Sequence, residues 1–231
     1  MCKKVIIFGF PHSGTTILRN IISHIENVFD NVDEVINIDD HLNDYSSYKF
    51  VVCKYPYLIN EDSLLTEYSD YFKIFLIRNP LYVFSSLNKR FEYQSLDLNH
   101  SIEKYINTVK EFNKFKSSNN INNLFLIRYE DIFENNYKNL KYIFDKIGFT
   151  YNDSVFDNSK YTNKVQFGNN LTIPKMRPSE QCHQEYRLFQ INQPFENNND
   201  KNNMSLTESQ RQILTTDTNI LEAYPENKIN N

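Results

Sequence analysis

A glycine-bounded loop near the amino terminus carries the residue types and spacing that suit phosphate binding. The stretch from Val5 to Leu18 has the sequence VIIFGFPHSGTTIL. Residues 5–8 are apolar and include β-branched types, which predicts a buried strand, and residues 15–18 begin a segment with helical spacing. Where a strand, a glycine-bounded loop and a helix follow one another, loop N–H groups and the positive end of the helix converge on one anion. The stretch therefore predicts a phosphate cradle; the alternative is a tight strand-to-helix turn with no ligand.

The loop has the spacing of a nucleoside triphosphate loop but lacks its lysine. Gly9 to Thr16 follows G-x-x-x-x-G-T-T, whereas the nucleotide P-loop is G-x-x-x-x-G-K-[ST]. The missing Lys would neutralise the β- and γ-phosphates, so its replacement by Thr15 favours a different anion. A nucleotide kinase or NTPase remains an alternative. It predicts a Mg²⁺-binding Asp at a strand end, where we find Lys54, Arg78 and Arg128 instead.

A second phosphate-binding pair lies farther along the chain. Arg78 follows an apolar run that predicts a strand, and Pro80 suits the first turn of a helix that carries Ser86. An arginine fork and a hydroxyl eight residues apart can hold a phosphate from two sides. The alternative for Arg78 is a solvated charge at a strand end.

Short apolar runs alternate with segments of helical periodicity along most of the chain. Strands are predicted at residues 5–8, 49–54, 73–77 and 124–127, and helices at residues 15–27, 61–71, 80–91, 101–116, 137–147 and 206–223. This alternation predicts an α/β fold with a mainly parallel sheet flanked by helices on both faces. Ligands of such sheets bind beyond the carboxyl ends of the strands. The loop, Lys54, Arg78 and Arg128-Tyr129-Glu130 are all expected at those ends, which predicts one shared site.

Length and composition limit the class of protein. The chain has 231 residues, which suits a single domain over 1–231. Within it we predict an irregular, lid-like segment at about 151–203 and a closing helix at about 206–223, capped by Ser205 or Thr207. The net charge of −4 argues against a nucleic-acid partner, and the three scattered cysteines predict neither a metal site nor disulfides. No apolar run reaches transmembrane length and no signal peptide is evident, so we expect a soluble, cytoplasmic protein. Asparagine runs such as Asn197-Asn198-Asn199 are attributed to an AT-rich genome rather than to function.

Taken together and in this order, the motifs resemble those of the PAPS-dependent sulfotransferases (PAPS is 3′-phosphoadenosine 5′-phosphosulfate). FPHSGTT at residues 10–16 is similar to the family's 5′-phosphate loop, and RNPLYVFSS at residues 78–86 to its 3′-phosphate motif. IRYEDI at residues 127–132 resembles a segment common in bacterial members, and FQINQPF at residues 189–195 has the look of a C-terminal segment of such enzymes. The resemblance implies a P-loop-like three-layer fold.

The resemblance also implies roles for the residues of the two motifs. It implies transfer of a sulfuryl group from PAPS to an acceptor hydroxyl or amine, without a metal ion. The residues that would contact PAPS are His12, Ser13, Gly14, Thr15, Thr16, Arg78 and Ser86. His12 and Lys54 would stabilise the negative charge on the leaving oxygen. The alternative for Lys54 is a simple strand-end charge.

His12 departs from the family, which usually has Arg or Lys at this position. Imidazole titrates near pH 6.5 in model peptides, so a histidine supplies a cation here only when protonated, a form that an adjacent phosphate dianion favours. The alternatives are that only the backbone of His12 matters, or that the protein is a non-catalytic, sulfotransferase-like anion-binding protein.

The acceptor base and the acceptor are the least specified parts of the site. The resemblance implies Glu34 as the preferred base, because this residue follows the first predicted helix, near where a catalytic Glu lies in tyrosyl-type members. His41, Asp39 and Asp40 in the same span are competitors, and the alternative is that all four belong to a solvated acidic loop. Glu130 is expected to pair with a neighbouring cation in a structural role. Three interpretations are kept for the basic residues Lys175, Arg177 and Arg187. They close over the 3′-phosphate, hold an anionic acceptor, or belong to a solvated lid. The chain has no Trp and lacks the R-K-G-x-x-G-D-W-K segment of the cytosolic small-molecule branch, which favours a glycan, a lipid-linked sugar or a peptide Tyr as acceptor.

Overall fold

Five parallel strands form the centre of the protein in the computed structural model, which describes residues 2–34, 47–55, 57–90, 98–118, 120–157, 197, 199 and 206–228. The strands are β1 (Lys3–Gly9), β2 (Val28–Glu34), β3 (Phe50–Tyr55), β4 (Phe72–Ile77) and β5 (Leu124–Arg128). Their order in the sheet is β2-β3-β1-β4-β5, and each neighbouring pair is parallel. The predicted α/β fold with a parallel sheet is confirmed.

Helices cover both faces of this sheet. They are α1 (Thr15–Ile22), α2 (Glu61–Leu65), α3 (Pro80–Arg90), α4 (Leu98–Ser118), α5 (Tyr129–Ile132), α6 (Lys138–Ile147), α7 (Glu208–Thr216) and α8 (Thr218–Ala223), with 3₁₀ turns at Asp153–Phe156 and Pro225–Asn227. Successive side chains of β1 point to opposite faces of the sheet. Ile6 and Phe8 join a core with α3, α4, α7 and α8, whereas Val5 and Ile7 join a core with α1 and α6. Burial on both faces explains why these strands appear in the sequence as continuous apolar runs.

The structure differs from the sequence-based prediction at four elements. Strand β2 was not predicted, because its residues VFDNVDE are mostly polar. Helices α1 and α2 end earlier than expected, at Ile22 and Leu65. The predicted closing helix is divided at Asp217, whose side chain accepts hydrogen bonds from the backbone N–H groups of Asn219 and Ile220 and so caps a new helix, α8.

The sheet has its topological switch point between β1 and β4. After β1 the chain continues to β2 and β3 on one side and then crosses to β4 and β5 on the other. Ligands of open α/β sheets bind in the crevice outside the carboxyl ends of the strands at this point. Gly9 at the end of β1 is in register with Leu76 of β4, so the residues that follow both strands face the same crevice.

Candidate functional site

The loop from Gly9 to Gly14, here called the glycine loop, packs too closely on its neighbours to accept side chains at its two glycines. A Cβ on Gly9 would lie 2.1 Å from the carbonyl oxygen of Leu76 in β4. A Cβ on Gly14, where φ is +94°, would lie 2.3 Å from Cδ2 of Tyr129. The loop is therefore held between β4 on one side and the first residue of α5 on the other.

The start of α1 has the features of an anion site. Gly14 is the N-cap residue of α1 and offers no side chain to satisfy the first-turn N–H groups. The neighbouring Ser13 is fully buried, and among the described residues its hydroxyl oxygen has no hydrogen-bond partner. Amide donors at a helix start beside a buried hydroxyl fit a phosphate group, which supplies acceptors for both.

Arg78 leaves the end of β4 and is held on several sides. Its guanidinium carbon lies 4.4 Å from the centre of the Tyr129 ring, and its Nη1 donates to the carbonyl oxygen of His12 over 3.4 Å. Its Nε donates to Oδ1 of Asn199 over 2.9 Å. The hydroxyl of Tyr105, a buried residue of α4, donates to the backbone carbonyl of Arg78. Arg78 is itself buried, so its charge lies in a region of low dielectric and acts strongly on a bound anion.

His12 connects the glycine loop with the second motif. Its φ of 67° is in the left-handed region, which non-glycine residues adopt rarely. In this conformation its Nδ1 lies 2.8 Å from Oγ of Ser86, on α3. Together with the contact between Arg78 and the His12 carbonyl, this brings the predicted residues of both motifs into one cluster.

Lys54 lies beside the same cluster, on β3. It is buried, and its Nζ donates to Oγ1 of Thr16 over 3.1 Å. The backbone of Glu34 at the end of β2 is in register with Lys54, after an irregularity in the pairing that begins at Asp30. The register thus places the preferred base at the same edge of the sheet as Lys54 and the first turn of α1. Only the backbone of Glu34 is described.

Glu130 contacts amide groups where the sequence suggested a cation. Its Oε1 accepts the backbone N–H of Asn79 over 3.0 Å and Nδ2 of Asn199 over 2.9 Å. Burial raises the pKa of Glu130 above its ordinary value, and these hydrogen bonds and the charge of Arg78 oppose the rise only in part. Its expected ion pair is not among the described ion pairs, whereas Arg128 from the same predicted segment pairs with Asp131 over 2.8 Å.

Several predicted residues lie outside the part of the chain that is described, and one residue that contacts the cluster was not predicted. Those outside are Asp39, Asp40, His41, Lys175, Arg177, Arg187 and residues 189–195. Asn199 was attributed to compositional bias, yet its side chain bridges Arg78 and Glu130. A repeat of asparagines offers no local pattern that distinguishes one member, so no sequence signal identified it.

The described residues also bear on metal sites and membrane spans. They contain no group of three or more His, Cys, Asp or Glu side chains arranged to hold a metal ion. They also contain no helix that is both long enough and apolar enough to span a membrane.

Comparison with known proteins shows a fold that the chain shares with solved structures. Neither a family model nor a curated protein matches the sequence. The structure is similar to that of mouse sulfotransferase SULT7A1 complexed with PAP, with a TM-score of 0.60 and 15% identity over 93% of this chain and 83% of that chain. It is also similar to retinol dehydratase in a complex with retinol and PAP, with a TM-score of 0.50 and 14% identity over 98% of this chain and 81% of that chain. At these identities the likeness establishes a common fold.

Proposed function

We propose that this protein is a PAPS-dependent sulfotransferase that acts on a hydroxyl or amine group of its acceptor. The observation that carries the proposal is the contact of the two phosphate-binding motifs at the switch point of the sheet. His12 of the glycine loop lies 2.8 Å from Ser86 and accepts a hydrogen bond from Arg78 through its carbonyl oxygen. The likeness in fold to two proteins solved with PAP, the 3′,5′-bisphosphate product of PAPS, supports the same interpretation.

The two ends of the nucleotide would be held by different motifs. In this proposal the backbone N–H groups of residues 13–16 and the hydroxyls of Thr15 and Thr16 bind the 5′-phosphate, because these donors surround the uncapped start of α1. Arg78 and Ser86 bind the 3′-phosphate, since a buried guanidinium and a neighbouring hydroxyl form strong, directional hydrogen bonds with phosphate oxygens. Gly14 has no side chain, so the ring of Tyr129 can pack directly against the loop.

The chemical step would use residues at the same edge of the sheet. PAPS supplies the sulfuryl group, and negative charge develops on the oxygen that leaves it. Lys54 and protonated His12 stabilise that charge, because cations that are already in position favour the transition state over the ground state. Glu34, whose backbone is in register with Lys54, accepts the proton of the acceptor hydroxyl.

The contact of Lys54 with Thr16 argues against the nucleotide kinase alternative. In P-loop NTPases the hydroxyl at this position of the motif binds the Mg²⁺ ion that accompanies the triphosphate. Here the ammonium group of Lys54 donates to that hydroxyl over 3.1 Å. A positive charge beside the hydroxyl repels a divalent cation but favours a phosphate or sulfate oxygen.

The acceptor class and the location are further parts of the proposal, and they rest on sequence features alone. We place the protein among the bacterial-type sulfotransferases, closer to glycan and tyrosyl enzymes than to the cytosolic small-molecule branch, and in the cytoplasm. The acceptor is then a carbohydrate, as a glycan or a lipid-linked sugar, or a peptide Tyr. The absence of Trp from the chain, and with it of the small-molecule segment, supports this choice.

Calorimetry with adenosine 3′,5′-bisphosphate and with Mg-ATP tests the nucleotide site. The bisphosphate should bind much more tightly, and Arg78→Ala should weaken its binding by about 1.5–3 kcal/mol, as expected for hydrogen bonds to a charged group. Lys104→Ala, which removes an exposed charge from α4, is the matched control and should leave the affinity unchanged. A preference for Mg-ATP would refute the proposal.

A transfer assay with labelled PAPS against panels of glycans and peptides tests the reaction. Transfer that is lost in Glu34→Gln while the bisphosphate still binds would support both the activity and the base. Binding without transfer to any acceptor would instead favour a non-catalytic, sulfotransferase-like protein.

A further inference from the structure

The side-chain amide of Asn199 lies between two opposite charges at the candidate site. Its Oδ1 accepts the Nε hydrogen of Arg78 over 2.9 Å, and its Nδ2 donates to Oε1 of Glu130 over 2.9 Å. The same oxygen of Glu130 accepts the backbone N–H of Asn79, the residue that follows Arg78. Arg78, Asn199, Glu130 and Asn79 therefore form a continuous set of hydrogen bonds, here called the amide bridge.

An amide suits this position because it satisfies a donor and an acceptor without adding charge. A carboxylate in its place would bind Arg78 but would lie next to the carboxylate of Glu130, and like charges at such distances are unfavourable. An apolar residue would leave the buried Nε donor and the Glu130 acceptor without these hydrogen bonds, which is costly in a partly buried region. Direct contact between Arg78 and Glu130 would compensate the positive charge of the guanidinium, which is proposed to bind the nucleotide.

The amide bridge orients the guanidinium as well as separating the charges. The guanidinium carbon of Arg78 lies over the ring of Tyr129, and Nη1 of Arg78 donates to the carbonyl oxygen of His12. The bond to Asn199 fixes the Nε edge of the guanidinium, which is the third constraint on its position. Glu130 has a second oxygen, Oε2, that is buried and has no hydrogen-bond partner among the described residues, so its charge is poorly compensated.

We propose that Asn199 is a positioning residue that makes the site selective for nucleotides with a 3′-phosphate. It holds Arg78 in the orientation that receives this phosphate and keeps Glu130 from pairing with it. The inference rests on the proposed function, because it assumes that Arg78 binds the 3′-phosphate. It assigns a role to a residue that lies 121 positions beyond Arg78 in the chain.

The test compares the affinities of the full-length protein for adenosine 3′,5′-bisphosphate and for AMP, which lacks the 3′-phosphate. Asn199→Ala should weaken binding of the bisphosphate about tenfold or more, the effect of one hydrogen bond to a charged group, and change binding of AMP by less than about twofold. Asn199→Asp should weaken binding of the bisphosphate further, because it adds a negative charge beside the phosphate. Asn122→Ala, at an exposed turn before β5, is the matched control and should bind both nucleotides like the wild type.

A second variant separates positioning from a general structural role. Glu130→Gln keeps an oxygen that accepts the N–H of Asn79 but removes the charge that Asn199 separates from Arg78. If the proposal is correct, Asn199→Ala combined with Glu130→Gln should bind the bisphosphate more tightly than Asn199→Ala alone. A merely structural role of Asn199 predicts that the two substitutions together are no better than Asn199→Ala.

The possible outcomes distinguish this inference from the proposed function. If the wild type prefers the bisphosphate to AMP but Asn199→Ala preserves that preference, the role of Asn199 is refuted and the proposed function stands. An equal loss of affinity for both nucleotides also refutes it, because selectivity is then unchanged. If the wild type shows no preference for the bisphosphate, the proposed function fails and this inference fails with it.

Discussion

Gly14→Ala tests whether the glycine loop is held against Tyr129 as the structure has it. The new Cβ would lie 2.3 Å from Cδ2 and 2.6 Å from Cε2 of the Tyr129 ring, which is far inside van der Waals contact. Tyr129 has no exposed surface and lies against Arg78, so its ring cannot move without disturbing the core or the guanidinium. The residue at position 14 also has a φ of +94°, a conformation that L-residues adopt only with strain.

The expected cost is the sum of a backbone effect and a steric effect. A non-glycine residue in the left-handed region costs about 1 kcal/mol, and overpacking a buried site costs about 1–3 kcal/mol. Gly14→Ala should therefore lower the free energy of unfolding by about 3 kcal/mol. In a protein of this size, that corresponds to a fall in Tm of about 6–12 °C.

Gly148→Ala is the matched control for this experiment. Gly148 also has a positive φ, +85°, but a Cβ there would meet only Nζ of Lys3, at 3.6 Å. This variant should lose only the backbone part, about 1 kcal/mol. Chemical denaturation of the two variants measures the difference, which is the contribution of the Tyr129 ring. Equal stabilities of Gly14→Ala and Gly148→Ala would refute the reasoning.

Two further predictions concern buried charges away from the nucleotide. Lys73 is fully buried, and burial lowers its pKa from the ordinary 10.5 to about 8. Between pH 8 and pH 10.5 the unfolded chain therefore binds more protons than the folded protein, so the free energy of unfolding rises with pH in this range. From pH 7.5 to pH 10.5 the free energy of unfolding of the wild type should therefore rise by about 2–3 kcal/mol relative to that of Lys73→Met. The constant part of the difference includes the hydrogen bonds from Nζ of Lys73 to the carbonyl oxygens of Tyr68 and Ser69, so the test is its change with pH. A difference that does not vary with pH would contradict the assignment. Arg19 of α1 and Asp30 of β2 form an ion pair over 3.3 Å, with side chains only 2% and 3% exposed. Asp30→Asn should lower the free energy of unfolding by about 3–5 kcal/mol, because it removes the carboxylate beside a buried guanidinium. The double variant Arg19→Met with Asp30→Leu should recover much of that loss. Equal stability of Asp30→Asn and the wild type would show that the pair is solvated.

The fold was largely predictable because the strands that form its centre are buried on both faces. Such strands are continuous apolar runs, and β1, β3, β4 and β5 were all found in this way. Two helix ends agree with residue preferences: Asn60 caps α2 through its side chain, and Gly148 ends α6 in a left-handed conformation. Strand β2 could not be found by hydrophobicity, since Asp30 is buried through a charge partner on α1 rather than through apolar contacts.

Only the part of the candidate site that lies at strand ends and in local motifs could be predicted from the sequence. The sequence by itself predicted that the glycine loop, Arg78, Ser86 and Lys54 lie close together, because each follows a recognisable strand or motif and the ends of parallel strands meet at one edge. Only the tertiary structure decided that Asn199 stands between Arg78 and Glu130, and that Lys54 contacts Thr16. Hydrogen bonds between residues distant in the chain leave no periodicity or spacing behind, since a single polar side chain anywhere in the sequence can supply them. The glycine loop could thus be identified from its own residues, whereas the groups that orient the charges around it became visible only when the chain was folded.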